Sequence, residues 1–278
     1  MTTIDAHHHF WRYNPAEYDW IDASMSRLQR DFLPYDLRAE AAAAGIGGVV
    51  SVQARQTIGE TAWLLDLARD DDLIKGVVGW VPLISPTVRD NLARFAAEPK
   101  FRGVRHVLQG EADDSYMLGA DFNAGVRALA EFGLVYDILI LERQLAPAIE
   151  LVDRHPAQIF VLDHVAKPRI KDGIFEPWNR QIRELAKRPN VFCKLSGMVT
   201  EADWTAWREE QLRPYFDTVW DAFGAQRLMF GSDWPVCLVA ASYGQWADVT
   251  RRILEAASES ERSRFFGETA AAAYQLAI

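Results

Sequence analysis

Ile4-Asp5-Ala6-His7-His8-His9-Phe10-Trp11 is the segment around which the rest of the chain is organised. Apolar flanks and short length mark it as a strand. Side chains alternate across a strand, so His7 and His9, with Asp5, share one face and His8 takes the other. Two imidazoles two residues apart can grip one metal ion from one side. Imidazole is a favoured ligand of zinc and similar ions, and a catalytic site keeps one position open for water. Two plainer readings compete. One is a tag remnant, which only three histidines between Asp-Ala and Phe-Trp argue against. The other is core histidines satisfied by hydrogen bonds.

Outward from this segment, short apolar runs alternate with longer stretches of helical period. Strands are expected at 3–9, 47–53, 74–83, 101–109, 134–141, 158–165, 191–197 and 227–233. Helical signals fall between them: 36–44, stopped by Gly45; a start at Ser85-Pro86; 121–132; a face through Leu145, Ile149 and Val152; another through Ile182, Leu185 and Ala186; then 204–223, 242–256 and 261–276. Eight such units predict an α/β chain folded as one (β/α)8 TIM barrel over 1–278, with a doubly wound open sheet as the alternative. Residues 10–35 are irregular, carry Trp11, Tyr13, Tyr18 and Trp20, and are expected to cover the barrel mouth.

The 278 residues are 49% hydrophobic and 25% charged, an ordinary globular balance. A net charge of −9 speaks against nucleic acid or an anionic membrane as partner. Cys193 and Cys237 form no Cys-x-x-Cys pair, and no segment reads as a membrane span or secretory signal, so a cytoplasmic setting is expected. No phosphate-binding glycine motif follows any strand. Nothing in the sequence separates a monomer from a homo-oligomer.

In such barrels the chemistry lies at the carboxyl ends of the strands. Those ends carry His7 and His9; Gln53 and Arg55; Arg105 and His106; Asp163 and His164, followed by Lys167; Lys194 and Ser196; and Asp233-Trp234. With His8 between His7 and His9, five of the six histidines fall there, all but His155, which turns a moderate signal into a strong one. Asp233, beside imidazoles and metal, stays ionised and is suited to ligate an ion and take a proton from water; its plainer reading is a helix cap or loop salt bridge. His164 suits a ligand or a carbonyl-polarising group, or else a core histidine. Lys194, inside an apolar strand, needs a partner and is a candidate anchor for a substrate oxygen. Asp137 faces either the site or the barrel wall.

Asp-Ala-His-His-His-Phe-Trp, Gly-Val-Arg-His, Leu-Asp-His-Val-Ala-Lys-Pro, Lys-Leu-Ser-Gly, Phe-Gly-Ser-Asp-Trp-Pro and Phe-Gly-Glu-Thr-Ala-Ala-Ala-Ala-Tyr follow one another along the chain. In this it resembles the amidohydrolase superfamily, and within it the branch of sugar-lactone hydrolases. The resemblance implies a distorted barrel, His7 and His9 as first-strand metal-site histidines, His164 as the later-strand histidine and Asp233 as the eighth-strand aspartate. Strand five has no histidine or lysine, which speaks against a two-metal site. The expected activity is opening of an aldonolactone such as L-fucono-lactone by activated water. The metal set is His7, His9 and Asp233, holding one divalent ion, zinc first, with metal-free activation left open. Asp233, His164 and His106 are the catalytic candidates. Gln53, Arg55, Arg105, Lys194 and Trp234 are the substrate-binding ones. A metal-dependent decarboxylase of the same superfamily and a non-catalytic sugar-binding barrel are the alternatives.

Overall fold

The computed structural model describes residues 2–278. Eight parallel strands run in sequence order around one sheet: β1 Ile4–His8, β2 Gly48–Val52, β3 Ile74–Gly79, β4 Phe101–His106, β5 Val135–Ile138, β6 Phe160–Leu162, β7 Val191–Leu195 and β8 Leu228–Phe230. The ring closes where the chain after β8 meets β1. His9 N–H donates to the Trp234 carbonyl at 2.7 Å, and Asp233 N–H donates to the His7 carbonyl at 2.8 Å. This is the expected (β/α)8 barrel. The strands are shorter than the apolar runs because the ladder ends where each chain peels away at the mouth.

The crossover helices are α1 Pro34–Ala43, α2 Ile58–Asp70, α3 Val88–Ala96, α4 Ala120–Glu131, α5 Leu145–Arg154, α6 Trp178–Leu185, α7 Glu209–Phe223 and α8 Tyr243–Ile253. No signal named above anticipates α2, whose start Thr57 caps by accepting from Glu60 N–H. Helix α3 begins after Ser85-Pro86 because Ser85 folds onto Thr87 in a turn. Helix α7 begins at Glu209, not 204: Asp203 caps residues 204–206 by accepting from Thr205 and Ala206 N–H, but they form a single turn that does not continue into the helix. The closing helix expected over 261–276 is three pieces: α9 Glu259–Ser263, a π turn at Arg264–Glu268, and α10 Thr269–Tyr274.

Two apolar layers position the site. One lies between strands and helices, where Val49, Val77, Phe160, Leu195 and Phe230 meet residues such as Leu64, Leu129 and Trp246. The other fills the barrel with Ile4, Ala6, Val50, Val52, Val78, Val135, Val161 and Met229. Ala270, Ala273, Tyr274 and Leu276 of the closing segment plug the far end of that interior. Polar side chains occupy the remaining length, up to the mouth. Across the mouth, the segment 10–35 is pinned by paired hydrogen bonds between Trp11 and Phe32 and by a short turn at Ala23–Leu28. No helix among the described residues is long and apolar enough to cross a membrane.

Candidate active site

Strand alternation places Ala6 inside the barrel, and His7 is inside as well. An irregularity in the β1–β2 register between Asp5 and His8 accounts for this. It also corrects the expectation that Asp5 shares the face of His7. Asp5 accepts instead from the N–H groups of His7 and Ser232 and from the Tyr243 hydroxyl, pinning β1 to the chain after β8. His8 turns to the helix layer and meets the Ser51 hydroxyl at 2.9 Å.

Three imidazoles converge on one carboxylate. The Nε2 atoms of His7, His9 and His164 lie 3.8, 3.6 and 3.8 Å from Asp233 Oδ1. Each outer nitrogen has its own partner: His9 Nδ1 faces the Val52 carbonyl at 2.8 Å, His164 Nδ1 the Ser196 hydroxyl at 2.8 Å, and His7 Nδ1 the Asp163 carboxylate at 3.3 Å. The Val52 carbonyl can only accept, so His9 donates from Nδ1 and keeps its Nε2 lone pair inward; His7 and His164 offer Nε2 lone pairs in the same way when Nδ1 carries the proton. Burial lowers the pKa of all three, that of His164 to about 4 and that of His7 well below the usual range, so the rings are neutral. Burial alone would raise the Asp233 carboxyl, but its polar neighbours His164, His9 and Lys167 outweigh burial and hold the group below its ordinary value.

The donor set fits a divalent ion. His7, His164 and Asp233 offer ligand atoms all within 4.8 Å of one another, and His9 Nε2 is 3.2 Å from His7 Nε2. Two inward lone pairs that close repel, whereas two nitrogens on one zinc-type ion, with bonds of about 2.0–2.1 Å, sit at such a spacing. Local charge agrees: buried Asp137, Asp163 and Asp233 outnumber buried Lys194 and Arg105.

Beneath His7 runs a column of buried charge. Lys194 Nζ is 2.5 Å from Asp137, 2.9 Å from Asp163 and 3.2 Å from His7 Nδ1. Tyr274 of α10 donates its hydroxyl to Asp137 at 2.8 Å, and Arg105 reaches Asp163 at 3.0 Å. Asp163 thus joins Lys194, Arg105 and His7. Lys194 and His7 keep its carboxyl ionised well below the usual range against the opposing effect of burial. Burial raises the Asp137 carboxyl to about 6.

Four expected roles change. Lys194 donates to Asp137 and Asp163, stands 3.2 Å from His7 Nδ1 and is fully buried beneath the cavity, which it does not line, so it orders the floor instead of meeting substrate. His106 follows Arg105 on β4 and points to the opposite face, where it meets Glu111 at 2.7 Å and stacks on Tyr116, away from Asp233. Gln53 is buried; its side-chain oxygen accepts from Arg105 at 2.7 Å, and its carbonyl accepts from the same guanidinium, so it orients Arg105. Trp234 packs behind the site on Phe10 and Phe32. Of the remaining candidates, His9, Arg55, Arg105, His164 and Asp233 line a cavity of about 990 Å³ at the barrel mouth, with Trp20 and Met25 of the mouth segment, and His7 is fully buried beneath it. Trp11 and Tyr18 are core instead. Asp163, Ser196, Tyr274, Lys167 and Glu201 received no settled role from the sequence, although alternation from Val161 already points Asp163 inward.

His164 reaches the site through an unusual turn. His164, Val165, Ala166 and Lys167 all have positive φ, between 48° and 61°. Alternation after inward Asp163 would turn His164 outward; the left-handed turn swings its ring back over the mouth. Such conformations cost roughly 1–2 kcal/mol per residue, and the turn is held by Trp178 donating to the Val165 carbonyl at 2.8 Å. Gly197 backs the ring: its φ is +65°, and a Cβ there would lie 2.8 Å from His164 Nδ1. Gly197→Ala is therefore expected to lower kcat/KM at least tenfold and stability by roughly 1–2 kcal/mol, read by steady-state kinetics and urea unfolding. An unchanged kcat/KM would show that the ring position is not critical.

The family model described as Amidohydrolase matches residues 4–276. An L-fucono-1,5-lactonase of Burkholderia multivorans is 46% identical over 98% of this chain and 96% of its own length. An L-fucono-1,5-lactonase of Burkholderia ambifaria is 37% identical over 98% of this chain and 95% of its own. A crystal structure of a Burkholderia multivorans amidohydrolase with bound zinc superposes with a TM-score of 0.95 at 46% identity, covering all of both chains. With a full-length match in sequence and in fold, the chain belongs to the amidohydrolase family.

Proposed function

We propose that the chain is a single-domain hydrolase opening the ring ester of a sugar lactone, an aldonolactone of the L-fucono-1,5-lactone class. The observation that carries the chemistry is the convergence of three neutral Nε2 atoms on ionised Asp233 at the floor of an open cavity. Full-length relatives named as lactonases carry the substrate class.

His7, His9, His164 and Asp233 are the residues that would hold one divalent ion, zinc being the first to test. When bound, such an ion supplies Lewis-acid chemistry, polarising the ester carbonyl and acidifying water. Asp233 accepts the proton of the attacking water and returns it to the alkoxide leaving the ring carbon, so no net proton is lost in the ring-opening step. The carboxylic acid product then ionises, which makes proton release the assay. A neutral His164 that offers its Nε2 lone pair to an ion carries its proton on Nδ1 and cannot donate to an oxyanion; its role in this scheme is that of a lone-pair ligand. Arg105 keeps Asp163 and His7 in place, and Arg55 borders the cavity mouth.

Purified protein screened against aldonolactones with a pH indicator tests this reading. Activity is expected on a sugar lactone, to fall at least tenfold after chelation, and to return with zinc or manganese. Folded protein inert on the whole panel with every metal would overturn it, and chelation without effect would remove the ion from the scheme.

A further inference from the structure

Three cationic side chains line the cavity: Arg55, Arg105 and Lys167. Arg105 is spent on protein acceptors: Nε and Nη2 on the Gln53 side chain at 3.1 and 2.7 Å, and Nη1 on Asp163 at 3.0 Å and His7 at 3.4 Å. Arg55 holds Glu17 at 2.6 Å and so ties the mouth segment to the loop after β2. Lys167 differs. Its nearest charged partner, Glu201 Oε1, is 3.6 Å away, an ion pair longer than a hydrogen bond. Both side chains are about four-fifths buried, with exposures of 20% and 24%, and both line the cavity. The left-handed turn brings Lys167 there, its N–H donating to the His164 carbonyl at 2.8 Å. The pair therefore stands three residues from a group of the reacting centre, with donors on one partner and acceptor lone pairs on the other turned to open space.

Trp204 completes this wall. Its indole Nε1 donates to the Thr200 carbonyl at 2.8 Å, leaving the cavity an aromatic surface and no donor. A donor, an acceptor and an apolar face side by side match a hydroxylated ring: one hydroxyl accepts from the ammonium, its neighbour donates to the carboxylate, and the C–H face lies on the indole. The pair is electrically neutral, so a carboxylate gains Lys167 but meets Glu201. Neutral polyols are favoured over acidic lactones.

We infer that Lys167 and Glu201 form a subsite that reads a vicinal diol of the lactone ring and sets substrate preference; this rests on the lactone reading above. The test compares an aldono-1,5-lactone with δ-valerolactone, the same ring without hydroxyls, in wild type, Lys167→Met and Glu201→Gln. The ratio of kcat/KM for the first over the second is expected to fall about 10–100-fold in each variant, the range for losing a hydrogen bond to a charged group, mainly through KM. A ratio that stays within threefold in both variants overturns the subsite. Calorimetric titration of the same proteins with the aldonolactone and its open acid separates this from the activity itself. Binding weakened by both substitutions in an enzyme that hydrolyses nothing supports the subsite and overturns the hydrolase. Absence of binding in wild type, or binding indifferent to both substitutions, overturns the subsite.

Discussion

Asp233→Asn is expected to lower kcat/KM by about 10²–10⁴-fold, the span of a lost general acid–base group, while the barrel stays folded. The two parts of that expectation have separate causes. The amide keeps the shape of the carboxylate but cannot accept a proton, and it withdraws the anion that the Nε2 atoms of His7, His9 and His164 surround at 3.6–3.8 Å. The fold is spared because Asp233 has φ 57°, a left-handed conformation that Asn also adopts readily. Its N–H bond to the His7 carbonyl, which helps close the ring, belongs to the backbone. Alanine would mix lost chemistry with backbone strain, so asparagine is the cleaner substitution. Steady-state kinetics and circular dichroism check it; kcat/KM within tenfold of wild type in folded protein would remove Asp233 from the mechanism.

Lys194→Met is expected to destabilise the chain by about 3–5 kcal/mol, as when one partner of a buried ion pair is removed. Methionine fills much the same volume, so the loss comes from charge. Asp137 and Asp163 would be left facing one another across the space of the ammonium that now lies 2.5 and 2.9 Å from them, with no water to screen them. Pairing the substitution with Asp137→Asn relieves part of that repulsion and is expected to recover at least 1 kcal/mol of the roughly 3–5 kcal/mol. Urea unfolding of the single and double variants reads both values. A single-variant loss below about 1 kcal/mol, the level of an exposed pair, would mean that the column contributes little to stability.

The barrel was legible because buried parallel strands leave near-continuous apolar runs, and eight such runs separated by helical stretches have few other solutions. His7, His9, His164 and Asp233 were legible because each is a ligand-type residue at a strand end. What escaped depends on departures from regularity. The register irregularity in β1 moves Asp5 off the face that strict alternation assigns it. The opposite error befell His106: at the strand end it looks like a partner of Arg105, but regular alternation sends it to Glu111 and Tyr116. Gln53 and Lys194 have the right chemistry for binding substrate, and only distances show their donors and acceptors already taken. Tyr274 lies 137 residues from Asp137, so no local pattern could have linked them.

The charged column also fixes when the site can exist. His7 comes from the first strand, Asp233 from the chain after the last, and the floor is secured by Tyr274 near the far end of the barrel. A ribosome that has delivered every catalytic side chain through Asp233 has still not delivered the phenol that tethers Asp137. Without α10, Asp137 beside Lys194 would lack that tether, and the interior would lack the side chains of Ala270, Ala273 and Tyr274 that close its far end. Synthesis therefore delivers the helix that seals the interior after all eight strands, and a chain cut before that helix is expected to hold its ligands in place less firmly than one that includes it.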